Sequence, residues 1–512
     1  MNRACAAESA MGCVVKHIDQ RQSCPRRPLR RTGALATGFG VSANASRAVG
    51  QDVTDHGKVK RTPAVDACCN LRCRGATGQT VLPPPADDVT AKQRGGPSRT
   101  DHLPIELSCR TVTVISGAMS MQSHAQSHPP LQAARDLKPL VDSLRDRFDH
   151  DRQLPRALVD AVGAAGLFGM WLPRSLGGPE LDPLTFLTVI EELARLDGSL
   201  GWCTVIPAGY GRLAGAMTDS AAETVFGSGR SILVGTLNPT GRSVAVSGGY
   251  RVTGRWSYGS FIGHSDWVLG NCITHDDGTP RRDASGGPEF RLCLFPREQV
   301  EVFDIWHVSG LRATGSNDYQ VAELFVPEAL TIPLPGFSPV PRQPGTLYAI
   351  PMTSTFVSCI AIVALGIARA AIEALAELAG AKTPTGSQSV LRDKPLAQAD
   401  MARGEALVRS GRAYLFDALG TVWETLLAGH PASPQSRALV RLAACQATQN
   451  AIQAVDLMFA LGGGTALFEG NRLERCFRDV HAAGQHIAVA TMSNLEPVGR
   501  VLLGLDPGTA RF

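Results

Sequence analysis

The strongest constraint on the fold of this chain is a hydrophobic period that changes twice along it. From Leu137, apolar residues recur at helical spacing: Leu137, Leu140, Val141, Leu144 and Phe148 mark one face, and Leu158, Val159 and Val162 mark a second between Pro155 and Gly166. Asp182 and Pro183 supply a cap and a first-turn proline for a third helix that stops near Gly198, and Ser199 can start a fourth. The pattern then shortens to β-rich runs divided by Gly, Asp and Pro: SILVGTLN (231–238), VAV (244–246), YRVTGRW (250–256), DWVLGNCI (266–273), FRLCLF (290–295) and YQVAELFVP (319–327). Ser247-Gly248-Gly249 reads as a hairpin loop. After the proline-rich stretch 333–345, alanine-rich helical patterns return at 356–380, 395–427, 436–461 and 472–495. The predicted organisation is a helical domain at 121–228, a β-barrel at 229–332, a linker at 333–345 and a four-helix bundle at 346–512, an α+β chain that is mainly α.

Residues 1–120 show no such period. They mix Arg, Pro, Gly and Cys irregularly, and the basic cluster RRPLRR (26–31) reads as part of a disordered or mis-assigned leader rather than a nucleic-acid element. Organised sequence begins just after Met119 and Met121, so translation from one of these is the expectation. Charge divides at the same place: residues 1–118 carry 17 Lys+Arg against 9 Asp+Glu, and the totals of 50 and 46 leave 33 against 37 for the rest. A mildly acidic catalytic part gives no reason to expect a nucleic-acid partner. Its six cysteines are scattered singly, which predicts reduced, buried thiols and a cytoplasmic setting. The apolar run Phe356 to Ala368 is shorter than the roughly 20 residues of a membrane span and reads as a buried helix.

Two further segments carry chemistry. LPRSLGGPELDPLTFLTVIEELARLDGSLGW (172–202) joins a Gly-Gly turn to a helix rich in acidic and apolar residues, and GLRATGSNDYQVAELFVPE (310–328) runs from a Gly-rich turn into a Val-Pro strand end. Together with the element order they resemble the acyl-CoA dehydrogenase superfamily over about residues 123–507. That resemblance implies a helical domain, a β-barrel and a four-helix bundle. Near the C-terminus, RDVHAAGQH (478–486) separates the branches of the superfamily. Dehydrogenases carry a glutamate base eight residues after the Asp of an Arg-Asp pair, and here that position is Ile487, which takes no proton. The terminal Gln-His is similar to two-component flavin-dependent monooxygenases, and GRWSYGSFIGHSDWVLG (254–270) resembles the segment that lies against their flavin.

This branch implies a homotetrameric oxygenase that receives reduced FMN or FAD from a separate reductase. Such an enzyme hydroxylates a small aromatic or polycyclic substrate with O2 through a C4a-hydroperoxide, which survives where water is excluded and the flavin N5 proton is held. By carry-over, His486 is the catalytic base and Ser260 holds the region of N5, while Trp256, Ser257, Tyr258 and Gly259 contact the flavin. Lys382 and the turn at Gly462 and Gly463 are candidates for its phosphates. Phe261 stands where the family usually has glycine, an expected source of narrowing or of a shifted loop.

Blander readings accompany these. His481 and His486 lie about 140° apart on a helix, which disfavours a metal pair, and His481 is expected to be structural. His264 is balanced between a loop hydrogen bond and a pocket role, and Arg478 and Asp479 read as an ion pair that orients the helix. The alternative functions are an acyl-CoA dehydrogenase with its base at Glu469 or Glu474, and a non-catalytic scaffold.

Overall fold

A computed structural model describes residues 129–284, 286–509 and 511–512. The expectations about segment 1–120 and about a start at Met119 or Met121 lie outside the described residues. The first helices are α1 (Pro129–Asp136), α2 (Lys138–Asp151), α3 (Arg156–Ala164), α4 (Pro183–Leu196), α5 (Gly198–Tyr210) and α6 (Asp219–Phe226). Their ends follow the sequence signals. Asp182 caps α4 by accepting from Leu184 N at 3.0 Å and Thr185 N at 2.9 Å, with Pro183 at the first turn. Asp197 caps α5 in the same way, through Ser199 N at 2.9 Å and Leu200 N at 3.3 Å.

The strands are β1 (Leu233–Val246), β2 (Gly249–Gly259), β3 (Trp267–Asp276), β4 (Thr279–Pro280), β5 (Phe290–Pro296), β6 (Glu301–Phe303), β7 (Asn317–Pro327) and β8 (Thr331–Pro333). SILVGTLN and VAV are one strand, β1, with a register shift between Thr236 and Gly241. Its hairpin to β2 pairs Val246 with Gly249 across Ser247 and Gly248, and Gly248 takes the positive φ of 78° that such a turn demands. The order is β6-β7-β2-β1-β3-β5-β8 with β4 beside β3, and β1 runs parallel to β3. No ladder joins β6 to β8 among the described residues, so the expected barrel takes the form of an open eight-stranded sheet.

Short α7 (Thr346–Ala349) leads into the long helices α8 (Met352–Ala381), α9 (Pro395–Leu427), α10 (Pro434–Gly462), α11 (Arg472–Gly484) and α12 (Thr491–Leu502). Helix α8 is longer than the apolar run suggested. By length and composition it passes as a membrane span, yet 89% of its most apolar window is buried inside the fold, against α4, α10 and α11. At Gly366 it approaches α4 so closely that a Cβ would stand 2.5 Å from Glu191 O, which leaves no room for a side chain. One pattern is corrected. The stretch 472–495 is two helices, α11 and α12, broken at Gln485–Ala490, so His486 lies in a turn and not on a helix face.

Candidate active site

Strand β2 ends in a tight turn. Gly259 packs so near β7 that a Cβ would sit 2.8 Å from the Tyr319 ring, and Ser260 follows, 7% exposed. Tyr258 and Phe261 both adopt φ of 67°. For Phe261 this explains why a glycine suits the position: left-handed backbone costs an L-residue about 1–2 kcal/mol. The phenyl ring does not narrow a ligand site. It is 2% exposed, and it packs on Phe168 at 5.9 Å and His264 at 5.2 Å between ring centroids.

Ser260 belongs to a chain of donors whose direction is fixed at one end. Thr314 Oγ1 donates to Leu311 O at 2.8 Å, so the Ser316 hydroxyl, 2.7 Å away, donates to Thr314. Ser260 Oγ, 2.7 Å from Ser316 Oγ, must then donate to Ser316, while Trp202 Nε1 on α5 donates to Ser260 at 3.1 Å. A hydroxyl has one proton and two lone pairs. The Ser260 proton is committed and one lone pair is filled, so the remaining lone pair is open to a further donor. The loop that carries Thr314 and Ser316 is held from the bundle: Asp479 Oδ1 on α11 accepts from Leu311 N at 2.6 Å.

His486 faces the same region. Its ring stands edge-on to Trp202 at 5.5 Å and to Phe356 of α8 at 5.3 Å between centroids. Nδ1 accepts from Ala488 N at 3.2 Å, which puts the proton of the neutral ring on Nε2, and Nε2 has no partner among the described residues. Burial pushes its pKa down to about 4, so the ring is neutral at physiological pH. Phe356 also lines a small cavity of about 40 Å³, bounded by Trp171, Ile206, Tyr210, Arg212 and Cys359 among others.

The remaining expected residues divide. Ser257 and Tyr258 are exposed beside Ser260, and Tyr258 meets Trp306 edge-on at 6.3 Å. Trp256 is corrected: it has no exposed surface, donates from Nε1 to Asn271 O at 2.8 Å and stacks on Tyr319 at 5.4 Å, so it is part of the sheet's interior. Lys382 does meet the glycine turn, with Nζ donating to Gly462 O beside Gly463, whose φ of 52° and ψ of −147° suit glycine alone. That cluster lies at the far end of α8 from Phe356, about 39 Å along the helix at 1.5 Å per residue. Arg312, at the start of the Thr314 loop, makes no ion pair or side-chain hydrogen bond among the described residues.

Other readings resolve locally. Arg478 and Asp479 are not an ion pair with each other: Arg478 binds Asp149 at 2.7 Å and Glu474 at 2.9 Å, and Asp479 turns inward to Leu311. His264 sits 2.9 Å from Leu154 O, a loop contact, and His481 pairs with Asp456 at 2.9 Å. Glu474 is taken up by Arg478 and Glu469 is exposed. Trp202, Phe356, Thr314, Ser316 and Asp479 received no site role from the sequence. Trp202 closes the first quoted segment, and the two hydroxyls of RATGS flanking a glycine, brought together by the turn at Gly315 with φ of 49°, were the available signal.

Comparison with known proteins agrees with this architecture. Family models described as the acyl-CoA dehydrogenase N-terminal and C-terminal domains match residues 132–217 and 358–491. The chain is similar to an indole-3-acetate monooxygenase of Pseudomonas putida, 31% identical over 72% of this chain and 93% of that protein. It is also similar to the flavin-dependent monooxygenase oxygenase subunit HsaA of Rhodococcus jostii, 28% identical over 69% of this chain and 93% of the relative. The crystal structure of the 3-HSA hydroxylase from Rhodococcus sp. RHA1 superposes with a TM-score of 0.69 at 26% identity, covering 75% of this chain and all of that one.

Proposed function

The chain belongs to the acyl-CoA dehydrogenase superfamily, in its branch of flavin-dependent monooxygenases, and from that premise we propose that it hydroxylates an aromatic ring bound against the cluster of Trp202, Phe356 and His486. Reduced flavin, FMN or FAD, supplies the activated oxygen when bound. The observation that carries the reading is the Ser260 hydroxyl, whose one open lone pair accepts an N–H. Reduced isoalloxazine offers such an N–H at N5, whereas the oxidised ring offers an acceptor, so the residues present fit the reduced cofactor. Ser257, Tyr258 and Ser260 would hold the ring, and Arg312 offers positive charge from the neighbouring loop.

His486 acts on the substrate. Its Nε2–H meets a substrate oxygen as a donor, and removal of a phenolic proton at Nε2 first requires the ring to release Ala488 and carry its proton on Nδ1. Aromatic walls suit an aromatic guest, and one relative is named for indole-3-acetate. A reductase in a second polypeptide supplies the flavin, a reading supported by the relative's description as an oxygenase subunit. Self-association is supported by the exposed apolar residues Leu467, Phe468, Met492, Leu502 and Leu503. A second copy would also give Lys382, Gly462 and Gly463 a flavin to serve.

The test is to load the full chain with reduced flavin without oxygen, admit O2 with a phenol or an indole, and quantify hydroxylated product against hydrogen peroxide. Product in proportion to flavin consumed is expected. Bleaching of oxidised flavin by an acyl-CoA thioester, with no hydroxylated product, would replace this reading with the dehydrogenase.

A further inference from the structure

Arg212 lies in the turn that follows α5 and is 6% exposed. Nη1 donates to Thr355 Oγ1 at 2.7 Å, and Nη2 faces the carbonyls of Ile350 at 2.6 Å, Leu347 at 3.2 Å and Tyr348 at 3.3 Å. No carboxylate pairs with it among the described residues. Burial lowers its pKa to about 10, which still leaves the guanidinium charged near neutrality. A buried cation held only by neutral acceptors is costly unless a counter-charge arrives.

The cavity that Arg212 lines has the matching deficit. Trp171, 2% exposed, stands in the same wall, and its indole N–H has no hydrogen-bond partner among the described residues. The Tyr210 hydroxyl spends its proton on Gly235 O, and Thr355 donates to Met352 O while accepting from Arg212. The remaining walls are Val205, Ile206, Gly209, Leu213, Leu237, Met352, Cys359 and Ile360. Among the lining side chains Trp171 holds a buried donor without a partner among the described residues, the walls are largely apolar, and Phe356 joins the cavity to the His486 ring.

We propose that this cavity is a substrate subsite for an anion, with Arg212 as counter-charge, and that the substrate is an aromatic acid with its ring at Phe356 and His486 and its carboxylate at Arg212. The inference rests on the aromatic-hydroxylase reading for the ring's position, and on Arg212 and Trp171 alone for the charge.

The test is calorimetric titration of the full-length chain with phenylacetate and indole-3-acetate, and with phenylacetamide and indole-3-acetamide. A charge-assisted contact predicts that each acid binds about 10- to 100-fold tighter than its amide. Arg212→Gln, which keeps donors for the carbonyls, is expected to reduce that ratio to near one, and Arg212→Lys to retain part of it. If Arg212→Gln does not fold, the acid-to-amide ratio in the unaltered chain decides alone. Equal binding of acid and amide, binding of neither, or an undiminished ratio in a folded Arg212→Gln overturns the proposal. A hydroxylation assay on the same preparation separates the two readings. Acid-selective binding without hydroxylated product removes the catalytic reading only, whereas hydroxylation of neutral indole without acid preference removes the anion subsite only.

Discussion

Trp202 Nε1 on α5 donates to Ser260 Oγ at the end of β2, 3.1 Å away, and this bond joins the helical segment to the sheet at the point where the site forms. It also fixes which of the serine's electron pairs is open to a ligand. Ser260→Ala is expected to leave the Trp202 N–H unpaired, to lower stability by about 1–3 kcal/mol, and to divert consumed flavin from product to hydrogen peroxide. Denaturant melts and a peroxide assay check this; unchanged coupling of flavin to product would remove Ser260 from the site.

His486→Ala is expected to lower hydroxylation by about 10²- to 10⁴-fold, the usual range for a proton-handling group. Flavin affinity is expected to survive, because the ring meets Trp202 and Phe356 rather than the β2 turn. Steady-state rates and a flavin titration read the two effects separately, and equal losses in both would place His486 against the flavin.

The depressed pKa of His486 also predicts a pH dependence of folding. An unfolded histidine titrates near 6.5 and the folded one near 4. Between these values the unfolded chain binds a proton that the folded chain refuses. The contribution is therefore fully present above about pH 6.5, falls as pH drops to about 4, and is then lost, a change of about 3 kcal/mol. His486→Gln should flatten this part of a stability-against-pH curve, and an identical curve would contradict the buried neutral ring.

Asp479 predicts the opposite slope. Burial and the neighbouring Asp197 raise its pKa to about 7, against an ordinary carboxyl value of 3.8. The folded chain holds a proton there that the unfolded chain releases, so this contribution is present at low pH and is lost as pH rises through about 7. Asp479→Asn keeps an oxygen for Leu311 N and is expected to raise the melting temperature at pH 8 relative to the native chain, with little change at pH 5. A decrease at pH 8 would mean that the charged form is the stabilising one.

Phe261→Gly tests the strained turn. Loss of the buried ring costs about 3–5 kcal/mol by analogy with large-to-small core changes, and relief of the left-handed backbone returns about 1–2 kcal/mol. A net loss of about 2–3 kcal/mol is expected, with flavin affinity unchanged, and calorimetry with a flavin titration decides it.

The order helical, β, helical was legible because burial imposes periods of 3.6 and 2 on whatever sequence packs there. Caps at Asp182 and the turn at Gly248 were legible because their backbone groups need particular local partners. The resemblance of 254–270 and the Gln-His pair led to Ser260 and His486 for the same reason, since both sit in short continuous segments. Trp256 shows the limit of that reading: alternation marks a strand residue, but which sheet face meets solvent depends on what packs against it.

What only the tertiary structure decided is the direction and company of each group. The chain Trp202, Ser260, Ser316, Thr314 draws on α5, the β2 turn and the loop before β7, and Asp479 holds that loop from α11. No linear spacing encodes contacts such as these, which join residues 56, 58 and 168 positions apart. Lys382 and Gly462, 80 positions apart, meet because the long helices fix separations that sequence distance does not. By itself the sequence determined the kinds of element and nominated two candidate side chains, Ser260 and His486; the packing of helices on the sheet decided which lone pair and which imidazole nitrogen stay unengaged among the described residues, and what holds the buried Arg212.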